Sequence, residues 1–328
     1  MSIISKTKSS ATRSPFGELI RRTRHGDVIF RAMTILASFT ILAAFLAIGF
    51  VLWNTSPEAR AKFGLGFLFS TDWDPVQEKF GALPFIYGTI VTSVLALVLA
   101  VPVGLGIAIF LAELAPAWLR QPVGYLIELL AAVPSVIFGL WGLYVLVPII
   151  IQPTADALNA NLGFVPLFAG PILGPSRLAA SVVLMIMILP TISALCRDVF
   201  LAIPNNQREA AFALGATKWE VISQVLLPYG LSGILGAIIL GLGRALGETI
   251  AVTMVIGNNR SLTASLLQPG YTMASIIANE FAEATDGLQR EALIEIGLIL
   301  FAITLVLNII ARFLVWRVAR RTPSEARA

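Results

Sequence analysis

The chain has one cysteine, Cys196, and one histidine, His25, in 328 residues. A lone thiol forms no internal disulfide, and neither residue has the companions that zinc or haem would need. With the only histidine near the N-terminus, a Ser-His-Asp set is excluded, and no G-x-x-x-x-G-K-S/T phosphate loop occurs in the sequence. If ATP powers this protein, another chain hydrolyses it. Charge is scarce too: Asp, Glu, Lys and Arg make up 13% of residues, about half of what soluble domains carry. Nor is there the pair of matching broken segments or repeated motif that many secondary transporters show.

What is present is apolar. Hydrophobic residues form 57% of the chain and mean hydropathy is +0.85. Six runs are long enough to cross a bilayer: 32–53, 84–111, 123–151, 178–195, 229–256 and 292–315. They predict an all-α polytopic protein with six transmembrane helices surrounded by lipid. The expected plan is a basic tail over 1–31, a membrane domain over 32–316 that includes a polar loop at 197–228, and a second tail over 317–328. A helix near Phe16–Arg24 is expected on the membrane surface, and the first run lacks a small-x-small cleavage site, so it reads as an uncleaved span. The two tails, the 113–122 turn, the polar loop and Arg312 at the end of the sixth run hold 16 of the 23 lysines and arginines. The positive-inside rule therefore puts them, and both termini, in the cytosol. That topology accounts for the net charge of +4, and no nucleic-acid partner is inferred from it.

Within the runs, Pro102, Gly104 and Gly106 permit a bend and close helix approach in the second. Ala132-Val133-Pro134-Ser135-Val136 falls in the middle of the third, where Pro134 frees a carbonyl and Ser135 becomes a candidate to line a path. Gly230, Gly233, Gly236, Gly241 and Gly243 suit tight contacts in the fifth. The loop from Asn54 to Leu83, with Phe63, Phe67, Phe69 and Trp73, reads as a packed flap on the outer face.

Between the fourth and fifth runs lies PNNQREAAFALGATKWEVISQVLLP, residues 204–228. Asn206 with Glu209, and Thr217 with Glu220, have capping-box spacing, so two short helices should meet at Gly215. Ala210, Ala211, Ala213 and Leu214 give the first helix a small, close-packing face, and Pro228 is expected to close the second. About 25 residues pinned between spans cannot fold around a core of their own. Such a knob should dock into something; Glu209 either only caps the helix or also meets what docks there.

Arg244 and Glu248 fall inside the fifth run, one helical turn apart, where an unpaired ion costs several kcal/mol. Two readings stand side by side: a structural salt bridge between them, or an anion path in which Arg244 supplies fixed positive charge and Glu248 controls its availability. Thr249 and Thr253 extend the polar stripe, although threonines in a span commonly bond backbone carbonyls. Glu128 and Glu295 sit near span ends and read as interfacial.

Glu209-Ala210-Ala211, then Gly215, Val225 and Leu227-Pro228 at the observed spacing, resemble the EAA signature of importer-type ABC transporter permeases, with Val225 replacing the usual isoleucine. PFIYGTIVTS (84–93), AVPSVIFGLWG (132–142), ILPTISALCRDVFLAIP (188–204), GRALGETIAVTMVIGN (243–258) and ANEFAEA (278–284) are similar to segments of the phosphate-specific permeases, of the C-type subunit in particular. The resemblance covers about residues 28–321. It implies an inner-membrane permease for inorganic phosphate that binds no cofactor itself. Its expected partners are a homologous A-type permease subunit, a dimer of ATP-binding subunits that carry ATP and Mg, and a soluble phosphate-binding protein outside. Glu209, Ala210, Ala211, Gly215, Thr217 and Glu220 would couple to the ATPase; Arg244, Glu248, Thr249, Thr253 and Ser135 would border the path. A permease for another oxyanion, such as sulfate or molybdate, and a phosphate-sensing membrane scaffold are the competing readings. A membrane-embedded enzyme would require a nucleophile, metal or acid/base set that the spans do not offer.

Overall fold

The computed structural model describes residues 15–284 and 287–319, in two compact units that divide at Asn54. The first contains a single long helix, α1 (Pro15–Asn54). The 16–24 segment is therefore continuous with the first span, whose apolar stretch is Asp27–Asn54, instead of forming a separate surface helix. The rest of the basic tail, residues 1–14, and residues 320–328 of the second tail lie outside the described residues.

The second unit opens with short helices α2 (Pro57–Phe63) and α3 (Gly66–Phe69) and a hairpin of β1 (Trp73–Asp74) and β2 (Lys79–Phe80), with Trp73 opposite Phe80. There follow α4 (Leu83–Leu114), α5 (Ala117–Ala132), α6 (Ser135–Leu162), α7 (Arg177–Leu201), α8 (Asn205–Ala213), α9 (Lys218–Gly247), α10 (Ile250–Val255), α11 (Met273–Glu280) and α12 (Gly287–Ala319). With α1, the long apolar helices α4, α6, α7, α9 and α12 make six candidate spans.

The core lies around α7, 56% of whose most apolar stretch is buried, against 28% for α4 and 17% for α12. Lipid tails are as apolar as leucine, so spans associate through close packing, not through exclusion of water. Accordingly α4 turns a ridge of small residues spaced by four, Ala96, Ala100, Gly104 and Ala108, into the interior beside α7. A Cβ at Gly104 would sit 3.0 Å from Ile192 of α7. On α9, Gly233 lies against Val199 as expected, but Gly236 and Gly243 face open space and do not serve tight packing here.

Three prolines set helix continuity in ways that hydropathy does not reveal. The third run is not one helix: Val133 and Pro134 are extended (ψ 127° and 141°), so α5 ends there and α6 begins at Ser135. A proline ring disfavours helical backbone at the residue before it. Pro148, by contrast, is absorbed by a π-helical stretch, Gly142–Ile151, and the span continues to Leu162. Pro228 likewise follows a π-helical stretch, Val221–Leu226, and α9 passes through it without a stop, contrary to expectation. The wider π turn gives the ring room and does not need its missing N–H.

At one end of α4 a cap buries its own aromatics: Phe63, Phe67, Trp73, Phe80 and Phe85 form a chain of ring contacts with centroids 4.9–6.0 Å apart. The expected flap is thus packed, although Phe69 is 75% exposed and takes no part in it. Buried Glu280 of α11 ties the cap together, accepting from Trp73 Nε1 at 2.8 Å and from Arg260 Nη2 at 2.6 Å. Nearby, fully buried Arg177 heads α7; it donates to Thr263 Oγ1 and the carbonyls of Ser261 and Ser265, and lies over the Tyr87 ring. Glu295 accepts from Ser56 Oγ at 2.8 Å.

Candidate functional site

The fifth run breaks where its charges are. α9 ends at Gly247, Glu248 is extended (ψ 125°), and α10 starts at Ile250. Arg244 and Glu248 therefore do not share a continuous helix face, and no ion pair joins them among the described residues. This corrects the expected one-turn spacing. Arg244, half-buried in the last turn of α9, points Nη1 at Thr191 Oγ1 of α7, 3.4 Å away. A cation is favoured at that C-terminal end by the helix dipole. Glu248 accepts from Ala251 N–H at 3.4 Å, in the manner of a cap on the short helix that follows.

Thr249 and Thr253 bond backbone carbonyls, Gly247 O at 3.2 Å and Thr249 O at 2.7 Å, as threonines in spans commonly do. Ser135 is the half-buried first residue of α6. The first turns of α6 pack on α10, where Gly139 lies against Ala251 and Met254. Two interrupted stretches are thereby brought side by side, one broken at Val133–Pro134 and the other at Glu248–Thr249. Irregular backbone at membrane depth is tolerated only in protein or along a wet cavity, and transporters use such breaks at their substrate sites. Thr191, which accepts from Arg244, was not singled out in the sequence; a lone threonine in an apolar run gives no signal.

At the far end of α4 from the cap stands the knob. Pro204 is extended (ψ 138°), so α8 starts directly after it at Asn205, and no side chain caps it. Asn206 and Glu209 are consequently both inside the helix and exposed, and the expected capping box between them does not form. The second box does: Thr217 N–H donates to Glu220 Oε2 at 2.7 Å, and Glu220 N–H to Thr217 Oγ1 at 3.3 Å. Gly215 ends α8 at φ +85°, with Gly215 N–H on Phe212 O and Ala216 N–H on Ala211 O. That pair of bonds is a Schellman motif, and its left-handed residue favours glycine.

Ala211 is half-buried against the core, whereas Ala210 and Glu209 are exposed. The knob also bares apolar surface, with Leu214 90% and Trp219 69% exposed. Its tie to the spans is Arg208. This guanidinium donates to Glu113 Oε1 through Nε (3.0 Å) and Nη2 (2.8 Å), to Phe200 O (2.6 Å) and to Ile203 O (2.6 Å). Glu113 belongs to the π-helical last turn of α4. A cavity of about 150 Å³ lies beside the pair, lined by Glu113, Leu114, Phe212, Lys218, Val221 and Ile222. Neither residue stood out in the sequence, because 95 positions separate them. Glu128, expected at an interface, lies 3.7 Å from Arg197, joining α5 to α7.

Comparison with known proteins agrees with this architecture. Residues 104–322 match the family described as binding-protein-dependent transport system inner membrane component. The chain is 47% identical over 315 residues to the phosphate transport system permease protein PstC of Xylella fastidiosa, covering 94% of this chain and 96% of that one. It is 45% identical to PstC of Mesorhizobium japonicum, covering 95% and 97%, and 44% identical to PstC 2 of Mycobacterium tuberculosis, covering 89% and 93%. Among solved structures, the fold is similar to a chain of a bacterial alginate ABC transporter (TM-score 0.61, 15% identity, 90% of this chain and 97% of that one). It is also similar to a chain of the MetNI methionine ABC transporter (TM-score 0.52, 18% identity, 71% and 93%). A six-span helical chain whose sequence matches these proteins across nearly its whole length belongs to the binding-protein-dependent ABC transporter permeases, in the PstC family.

Proposed function

We propose that this chain forms the translocation path of an ATP-driven inorganic phosphate importer and passes the ATPase's motion to that path. The observation that carries the anion reading is Arg244: a guanidinium in the last turn of α9, at a helix break, with a hydroxyl and, among the described residues, no carboxylate bonded to it. A fixed cation held without a counter-ion is suited to a divalent oxyanion. Glu248, four residues on and across the break, is the charge that tunes it. Thr191, Thr249, Thr253 and Ser135 border the same interrupted region.

The knob, with Glu209, Ala210, Ala211, Gly215, Thr217 and Glu220, is the element that docks into an ATP-hydrolysing subunit, which carries ATP and Mg. Its exposed Leu214 and Trp219 support that reading, since water is a poor neighbour for both. A homologous permease subunit would complete the path and a soluble phosphate-binding protein would deliver the anion. The positive-inside count supports a cytosolic position for the knob and both termini, in a bacterial inner membrane.

The test is labelled-phosphate uptake at low external phosphate, in cells lacking other phosphate systems, with this chain deleted and then restored, and with excess sulfate as competitor. Uptake should require the chain and ignore sulfate, and Arg244→Gln should abolish it while the complex still assembles. Normal uptake by Arg244→Gln would sink the anion path, and inhibition by sulfate would move the substrate to another oxyanion.

A further inference from the structure

We propose that Arg208 and Glu113 are the pin that transmits displacement of the knob to the spans, Arg208 acting as a positioning residue for coupling. The inference rests on the reading of the knob as the ATPase contact, and it names the part of this chain that makes the contact effective.

A knob that docks but slips against its own spans would do no work. Chain connections alone tie it loosely: Ala202–Pro204 links α8 to α7, and Leu214–Thr217 links it to α9. Arg208 adds a connection of another kind. One planar guanidinium holds the side chain of Glu113 at the end of α4, the Phe200 carbonyl at the end of α7 and the Ile203 carbonyl in the link that follows it. A further bond to Asn205 Oδ1, at 3.3 Å, fixes it within α8. Three helices thus meet at one side chain.

Two features make this contact more than a surface ion pair. Its partners are mostly shielded, with side chains 13% and 19% exposed, so solvent screens the charges little. In addition, α4 and α7 pack on each other more extensively than any other pair of helices among the described residues. A pull on α8 therefore moves the two as a block. The last turn of α4 is π-helical, with Ala115 N–H on Phe110 O at 2.7 Å. Such widened turns occur mostly as single-turn insertions in α-helices and are frequent at functional sites.

Lysine cannot replace this arrangement, since an ammonium is a point charge and lacks the planar fork that bonds several acceptors at fixed angles. The assembled transporter, reconstituted in liposomes, provides the test through two readouts: ATP hydrolysed and phosphate taken up. Arg208→Lys should leave ATPase subunit binding intact and lower phosphate taken up per ATP about tenfold, the equivalent of one charge-assisted hydrogen bond. Glu113→Gln, which leaves the carbonyl bonds in place, should show a smaller drop in the same ratio and keeps the test decisive if Arg208→Lys does not assemble. The pin can also be rebuilt covalently: Cys196, the single native cysteine, is buried. Glu113→Cys with Arg208→Cys should be uncoupled, and joining the two thiols with a short bis-maleimide should restore the ratio. A purely structural role would not be rescued in that way. An unchanged ratio in Arg208→Lys and Glu113→Gln, with ATPase subunit bound, would overturn the pin alone. Failure of the unmodified chain to hold any ATPase subunit would overturn the coupling reading and the pin with it.

Discussion

The cap and the knob stand at opposite ends of α4 and treat their apolar residues in opposite ways. In the cap, Trp73 is 7% exposed and Phe80 2%, and the buried Glu280 carboxylate has two partners. In the knob, Leu214 is 90% exposed and Trp219 69%, while the backbone around them is closed by a Schellman motif and a capping box. One region is complete in itself. The other has a closed backbone and an exposed apolar surface, the combination that the proposed docking role requires.

If that contrast is sound, substitutions at the two ends should separate stability from assembly. The largest effect is expected at Gly215→Asp, which strains a position at φ +85° and disrupts the turn between the knob's helices. Phosphate uptake should be lost and ATPase subunit binding impaired, and a pull-down paired with an uptake assay checks both. Full uptake with normal binding would refute the coupling role. Next, Glu280→Ala should destabilise the isolated chain by about 2 kcal/mol, since it leaves the buried Trp73 Nε1–H without its acceptor, while Arg260, 44% exposed, stays hydrated. Thermal unfolding in detergent reads this, and binding of the ATPase subunit should not change.

The reverse pattern is predicted for Leu214→Ser combined with Trp219→Ser. Unfolding of the isolated chain should be unaffected, while affinity for the ATPase subunit drops about tenfold, corresponding to the apolar area no longer buried. Equal binding would mean that these side chains face lipid or solvent in the assembly. The smallest effect should be Thr217→Ala, about 1 kcal/mol of local helix stability from the lost cap. Hydrogen exchange at the Glu220 amide, which donates to Thr217 Oγ1 in the folded state, would report it.

Much of this was legible in the sequence because some signals are local. Six apolar runs announced six spans, and the spacing from Glu209 to Pro228 announced the knob. Gly215 and the Thr217–Glu220 box were readable because a cap involves residues three or four apart. The failures were of two kinds. At Pro134, Pro228 and Glu248, hydropathy carries no information about which backbone hydrogen bonds are made, so at Pro134 the sequence suggests only a freed carbonyl within one span, at Glu248 it shows no break, and at Pro228 it ends a continuous helix too early. At Asn206, a correct motif lay two residues beyond the true cap at Pro204. The tertiary ties, Arg208 to Glu113, Arg260 to Glu280 and Arg244 to Thr191, join residues from different elements, and no local pattern marks them.

Arg177 has a consequence for how the protein is made. Its interior partners, Ser261, Thr263 and Ser265, are synthesised up to 88 residues after it. At about 5–20 residues per second, the ribosome needs about 4–18 s to reach the last of them. Through that interval the guanidinium has the Tyr87 ring but none of the oxygens that later surround it. Seating it in the interior at that stage would leave a desolvated charge without hydrogen bonds. The head of the fourth span must therefore wait at the wet edge of the bilayer, and membrane insertion is finished only when the strand of chain beyond the fifth span arrives to receive it.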